Sequence, residues 1–164
     1  MNDYETHAPI LKLLMEEIKP KQILEFGLGN YSTPILFSDG ATVESIEMQS
    51  QEWFDLISIK FKDKTNWTPY FAMGPFEYRK IKLKDRYDLV LVDGHGDSRW
   101  DCVNMMFGKS DVIVAHDTEQ PTYNWDKIQE KEGYVKITYK KLRPYTSVWT
   151  NNLILSEIIR EFCK

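Results

Sequence analysis

Gln22-Ile23-Leu24-Glu25-Phe26-Gly27-Leu28-Gly29-Asn30-Tyr31-Ser32-Thr33 is the stretch on which the fold turns. Ile23, Leu24 and Phe26 form a short apolar run closed by glycines, the pattern of a strand buried on both faces of a parallel sheet. Gly27 and Gly29 then permit a tight turn that residues with a Cβ resist. Residues 31–37 follow as a short helix, in which Pro34 is tolerated only in the first turn. A strand, a glycine turn and a helix N-terminus make a general cradle for a nucleotide-like ligand. Backbone N–H groups can approach the ligand, and the helix end carries partial positive charge.

Glu25 narrows the choice of ligand. A carboxylate just before the turn repels a pyrophosphate but accepts hydrogen bonds from an ammonium group or from hydroxyls. The dinucleotide pattern G-x-G-x-x-G is also incomplete, because Ser32 stands at the third glycine. Glu25-Phe26-Gly27-Leu28-Gly29-Asn30 resembles the first motif of the class I S-adenosylmethionine-dependent methyltransferases. The resemblance implies that Glu25, Phe26, Gly27, Gly29, Asn30, Ser32 and Thr33 cradle the methionine part of S-adenosylmethionine.

C-terminal to this motif, residues 43–48 read as a second strand. Glu47 lies at its end, about twenty residues past Gly27, where an acid in nucleoside-binding α/β folds accepts both ribose hydroxyls. Met48 adjoins it as a cofactor candidate. Ser50 can cap a helix over 52–61 that buries Trp53, Phe54, Ile57 and Phe61. Residues 67–73 read as a third strand, placed at an edge by Pro69. The methyltransferase resemblance puts the adenine near that strand's end, at Met73 and Gly74.

Residues 87–93 form the clearest buried strand, ending in Asp93-Gly94-His95-Gly96-Asp97. Ser98 can cap the next helix, with Asp101 completing a capping box. Val103, Met106 and Phe107 supply the apolar face of that helix, and Gly108 ends it. Arg99 has two readings, a ligand for a substrate carboxylate or the partner of a nearby acid. The second is favoured. Residues 111–117 are another buried strand, closed by His116 and Asp117. A loop over 118–123 leads to a short helix over 124–131, capped by Asn124 and ended by Gly133. Strands over 134–142 and 145–150 form a terminal hairpin, and an amphipathic helix covers 153–162. At the N-terminus, residues 2–19 open with polar residues. Ile10, Leu11, Leu14 and Ile18 then recur at helical spacing until Pro20. His7 reads as a surface or capping residue.

The alternation of strands and helices predicts one α/β domain over residues 1–164. It is Rossmann-like, with a mostly parallel sheet, helices on both faces and a C-terminal antiparallel hairpin. In such sheets ligands bind outside the carboxyl ends of the strands. Glu25, Glu47, Asp93, His95, His116 and Asp117 all fall on that rim.

The resemblance spans about residues 20 to 150. Within the class it is nearest to metal-dependent O-methyltransferases, where strand-end acids hold a divalent cation. It thereby implies Asp93, His116 and Asp117 as ligands. Hard oxygen donors suit Mg²⁺ or Mn²⁺. His116 departs from the pattern and tilts the site toward Mn²⁺, Zn²⁺ or no metal. His95 is the candidate general base, with Asp93 the other catalytic candidate. The implied activity is O-methylation of a small-molecule or sugar hydroxyl. The alternatives are a cofactor-binding module without turnover and another nucleotide-linked Rossmann-type enzyme. The acceptor pocket is open, completed by a second subunit in a homo-oligomer, or absent.

Composition agrees with an ordinary globular chain. It has 164 residues, 42% hydrophobic and 28% charged, with a net charge of −4. That charge gives no reason to expect nucleic acid or an anionic membrane as partner. The basic run 79–86 reads as a solvated approach to the next strand. Two cysteines and the lack of a signal or an apolar span predict a reducing, cytoplasmic location. No repeat or low-complexity tract is present.

Overall fold

The computed structural model describes residues 5–37 and 40–164. Residues 2–4, the polar opening of the first expected helix, lie outside the described residues. Helix α1 (Ala8–Ile18) buries Ile10, Leu11, Leu14 and Met15 and ends at Lys19, whose backbone is left-handed (φ 49°). Then come β1 (Gln22–Phe26), α2 (Ser32–Leu36), β2 (Thr42–Glu47), α3 (Gln51–Lys60), β3 (Trp67–Phe71) and β4 (Leu89–Val92). The chain closes with α4 (Arg99–Met106), β5 (Val112–His116), β6 (Val135–Tyr139), β7 (Thr146–Thr150) and α5 (Leu153–Cys163).

The strands form one seven-stranded sheet in the order β3-β2-β1-β4-β5-β7-β6. Pairings from β3 through β5 are parallel, and β7 runs antiparallel to both β5 and β6. Alternate residues of each strand face opposite sides. Ile23, Val43, Leu89, Leu91 and Val114 join one core cluster under α1, α3 and α5. Leu24, Phe26, Ile46, Val90, Val92 and Ile113 join the other, against α4. Both faces of β1, β4 and β5 are therefore dry, which explains why these strands are mostly apolar. Each fully buried Leu, Ile or Val contributes about 1.5–3 kcal/mol.

The sheet, the terminal hairpin and the edge position of β3 match the expectations. Several local readings need correction. Only Ile57 of α3 is fully buried, and Trp53, Phe54 and Phe61 are half-buried or packed at the margin. Ser50 does cap α3, accepting from Trp53 N at 3.1 Å. Ser98 does not cap α4: its hydroxyl donates to His95 O, and Asp101 instead holds Tyr78 and Arg79. Asn124 caps nothing; it sits in a left-handed turn, and only Trp125–Lys127 is helical, as a single 3₁₀ turn. The basic run is solvated as expected, its exposed side chains pairing at the surface, Arg79 with Asp101, Lys80 with Glu77 and Arg86 with Asp111. Among the described residues no helix is long and apolar enough to cross a membrane.

Candidate functional site

Glu25 is the first residue whose position departs from expectation. It is fully buried at the end of β1 and never reaches the rim. Ser32 Oγ donates to its Oε1 at 2.6 Å and Ser45 Oγ to its Oε2 at 2.6 Å. Thr33 Oγ1 donates to Glu25 at 2.9 Å and itself accepts from Gly29 N at 2.9 Å. Burial pushes the Glu25 carboxyl up to about 7 against the lowering effect of these hydroxyls. Through these bonds it pins the glycine turn and the start of α2 to β2. Phe26, Thr33 and Met48 are likewise buried beneath the turn.

Gly27 is required by the neighbouring strand. Its φ is 88°, and a Cβ there would lie 2.5 Å from Asp93 O. The turn is thus pressed against the end of β4, which brings the ligand cradle and Asp93 to one place. Gly29 is open, its nearest neighbour to an added Cβ being Ser32 Oγ at 3.6 Å.

A cavity of about 770 Å³ lies over the carboxyl ends of β1, β2, β4 and β5. This is the size range of small-ligand sites. At one end it is lined by Gly27, Gly29, Asn30, Ser32 and Glu47. Glu47 is 3% exposed, and its Oε1 accepts from Gln49 N at 2.8 Å and Ser50 N at 3.2 Å. Burial raises its pKa despite those bonds. Trp53 closes this end, its indole donating to Leu28 O at 2.9 Å.

The other end is a charged cluster of His7, Asp93, Arg99, His116 and Asp117, with Tyr123 beside it. Arg99 starts α4 and reaches back across the rim. Its Nη1 lies 2.9 Å from Asp93 Oδ1 and 2.7 Å from Asp117 Oδ2, and its guanidinium donates to the carbonyls of Gly94 and His116. The Tyr123 ring covers it, with the guanidinium carbon 4.7 Å from the ring centroid. Burial alone would raise the Asp93 pKa, but the Arg99 charge and the His116 hydrogen bond hold it at about 2. On Asp117 burial wins and the pKa is raised. Asp117 also has a left-handed backbone (φ 58°), a strained state for a residue with a Cβ.

His7 overturns the surface reading. It is 2% exposed, makes no side-chain cap and packs edge-on against His116 with ring centroids 4.7 Å apart. Burial lowers its pKa to about 4, so the ring is neutral. Its ligand atoms and those of Asp93 and His116 lie within 4.8 Å of one another. Of the expected trio Asp93, His116 and Asp117, Asp117 gives Oδ2 to Arg99 while its Oδ1 lies 3.5 Å from His116 Nδ1, and His7 adds a further imidazole beside Asp93 and His116.

His95 is placed away from this cluster. It precedes the 3₁₀ turn Gly96–Ser98, and its Nδ1 accepts from Asp97 N at 3.3 Å. It is not among the described residues that line the cavity, and neither are Met73 and Gly74. Met73 is 64% exposed. Sequence reasoning missed His7, Trp53 and Tyr123 as lining residues. None carries a motif, and each reaches the cavity only through tertiary packing.

No protein-family model matches the sequence, and no curated protein matches it. Solved structures do. The O-methyltransferase from Bacillus cereus in complex with SAH superposes with a TM-score of 0.73 at 16% identity, covering 88% of this chain and 80% of that one. The SAH-bound Podospora anserina methyltransferase PaMTH1 gives 0.64 at 18% identity, over 86% of this chain and 76% of that one. The methyltransferase domain of bacterial CtHen1-C gives 0.64 at 12% identity, over 91% of this chain and 98% of that one.

Proposed function

We propose that this chain, whose fold is that of the class I methyltransferases, transfers a methyl group from S-adenosylmethionine to a hydroxyl of a small molecule or sugar. The observation that carries this reading is the cavity over the strand ends, with a buried carboxylate, Glu47, at one end and a charged cluster at the other. An open glycine and a buried acceptor suit a nucleoside that also carries an amino-acid tail.

Glu47 would accept the ribose hydroxyls, for which its burial and fixed backbone bonds prepare it. The Gly27–Gly29 backbone, Asn30 and Ser32 would hold the amino-acid end. Glu25 supports them from below and touches no ligand. When bound, the cofactor supplies an electrophilic methyl group. The protein's own work is to align the acceptor and take its proton.

We take Asp117 rather than His95 as the proton acceptor. Asp117 lines the cavity, and burial has raised its proton affinity toward what a base needs at neutral pH. Asp93, held ionised by Arg99, orients His116 and Arg99 around it.

The test is formation of S-adenosylhomocysteine with a panel of catechols, phenols and sugars. Asp117→Asn should lower turnover about 10²–10⁴-fold, the usual cost of losing a general base, with cofactor affinity nearly unchanged. His95→Ala should leave turnover close to wild type. The reverse pattern would return the base role to His95. A bound cofactor with no transfer to any acceptor would point to a binding module.

A further inference from the structure

We propose that His7, Asp93 and His116 form a binding site for a divalent transition ion of the Zn²⁺ class, and not for Mg²⁺ or Ca²⁺. The three side chains come from the residue before α1, the end of β4 and the end of β5, and they all line the same cavity. Their ligand atoms lie within 4.8 Å of one another. Closing by roughly an ångström would bring them onto one ion with bonds of about 2.0–2.2 Å. Two imidazoles and one carboxylate are a borderline donor set, suited to Zn²⁺, Co²⁺ or Fe²⁺ and poor for hard cations.

Two features of the histidines favour a ligand here. The first is His7. It is 2% exposed, and neither Nδ1 nor Nε2 has a hydrogen-bond partner among the described residues. An orphaned buried polar group is destabilising, and native proteins seldom carry one without an ion or water to satisfy it.

The second is the fixed orientation of His116: its Nε2 lies 2.8 Å from the Thr6 hydroxyl, which also donates to Pro144 O at 3.0 Å, and its Nδ1 faces Asp93 Oδ1 at 3.3 Å. A hydrogen bond that fixes the far nitrogen of a ligating histidine is the usual second layer of a metal site. Arg99 bridges Asp93 and Asp117, so the two carboxylates do not form the open, oxygen-rich pair that a hard cation needs, and the imidazoles supply the remaining donors.

The site stands whether or not the chain transfers methyl groups. Its use, Lewis-acid activation of an acceptor hydroxyl, rests on the reading above. The test therefore reads metal alone. Chelator-treated protein is titrated with Co²⁺ and followed by its visible d–d absorption, then back-titrated with Zn²⁺. We expect one equivalent of Co²⁺, displaced by Zn²⁺, and a melting-temperature rise with Zn²⁺ that Mg²⁺ does not produce. His7→Gln and His116→Gln should each weaken Co²⁺ binding at least tenfold. His95→Gln, altering the remaining histidine of the three, should not. Circular dichroism and S-adenosylhomocysteine binding of each variant separate loss of the site from loss of the fold. Lack of a stoichiometric Co²⁺ spectrum in folded wild type, equal effects of His7→Gln and His95→Gln, or an equal response to Mg²⁺ would each overturn the proposal.

Discussion

Glu25 shows how one buried residue can hold a turn together. Its carboxyl is raised to about 7 by burial, from 4.5 in the unfolded chain. Between those values the unfolded chain loses a proton that the folded one keeps. Folding stability from this group is therefore greatest below pH 4.5 and declines as pH rises toward 7. The full decline is on the order of 3 kcal/mol. Urea unfolding from pH 4 to 8 should show Glu25→Gln more stable relative to wild type at the alkaline end than at the acid end. A constant difference across the range would contradict the assignment. The sequence marked Glu25 correctly as special but not its orientation. The ring of hydroxyls that captures it comes from Ser32, Thr33 and Ser45, and residue spacing does not say which way a strand-end carboxylate turns.

At the scale of elements, Arg99 ties the start of α4 to the ends of β4 and β5. Its side chain is 7% exposed, and its partners Asp117 and Asp93 are 15% and 22% exposed. Removing one member of such a buried cluster leaves charges unpaired, which costs about 3–5 kcal/mol. Arg99→Met should lower the unfolding free energy by that amount, and Arg99→Met combined with Asp117→Asn should recover part of it. A loss below about 1 kcal/mol would show that solvent already screens the cluster. The central strands β1, β4 and β5 were legible because each is a mostly apolar stretch bounded by turn residues. The short connections were not. Ser98 and Asp101 have the spacing of a capping box, yet Arg79 and Tyr78 draw Asp101 away. Asn124 looks like a cap, yet it adopts a left-handed turn. In both places tertiary partners outweigh a local preference worth about 1 kcal/mol.

For the whole molecule, the mostly parallel sheet with its antiparallel end follows from the alternation of elements, and the rim follows from the sheet. What the sequence could not reveal is the return of the N-terminal segment to that rim. Thr6 and His116 are 110 residues apart in the chain and 2.8 Å apart in space. No periodicity links them, and His7 carries no local pattern that separates a ligand from a surface histidine. The Glu47 end of the cavity was better marked, because Glu47 sits at a fixed distance from the glycine turn along two adjacent parallel strands. The central claim is that this end holds the adenosylmethionine cofactor, and titration calorimetry with S-adenosylhomocysteine tests it most directly. Wild type should bind one equivalent saturably, and Glu47→Ala should bind at least tenfold more weakly while keeping its melting curve. No heat at millimolar ligand with folded wild-type protein, or equal affinity in Glu47→Ala, would contradict it.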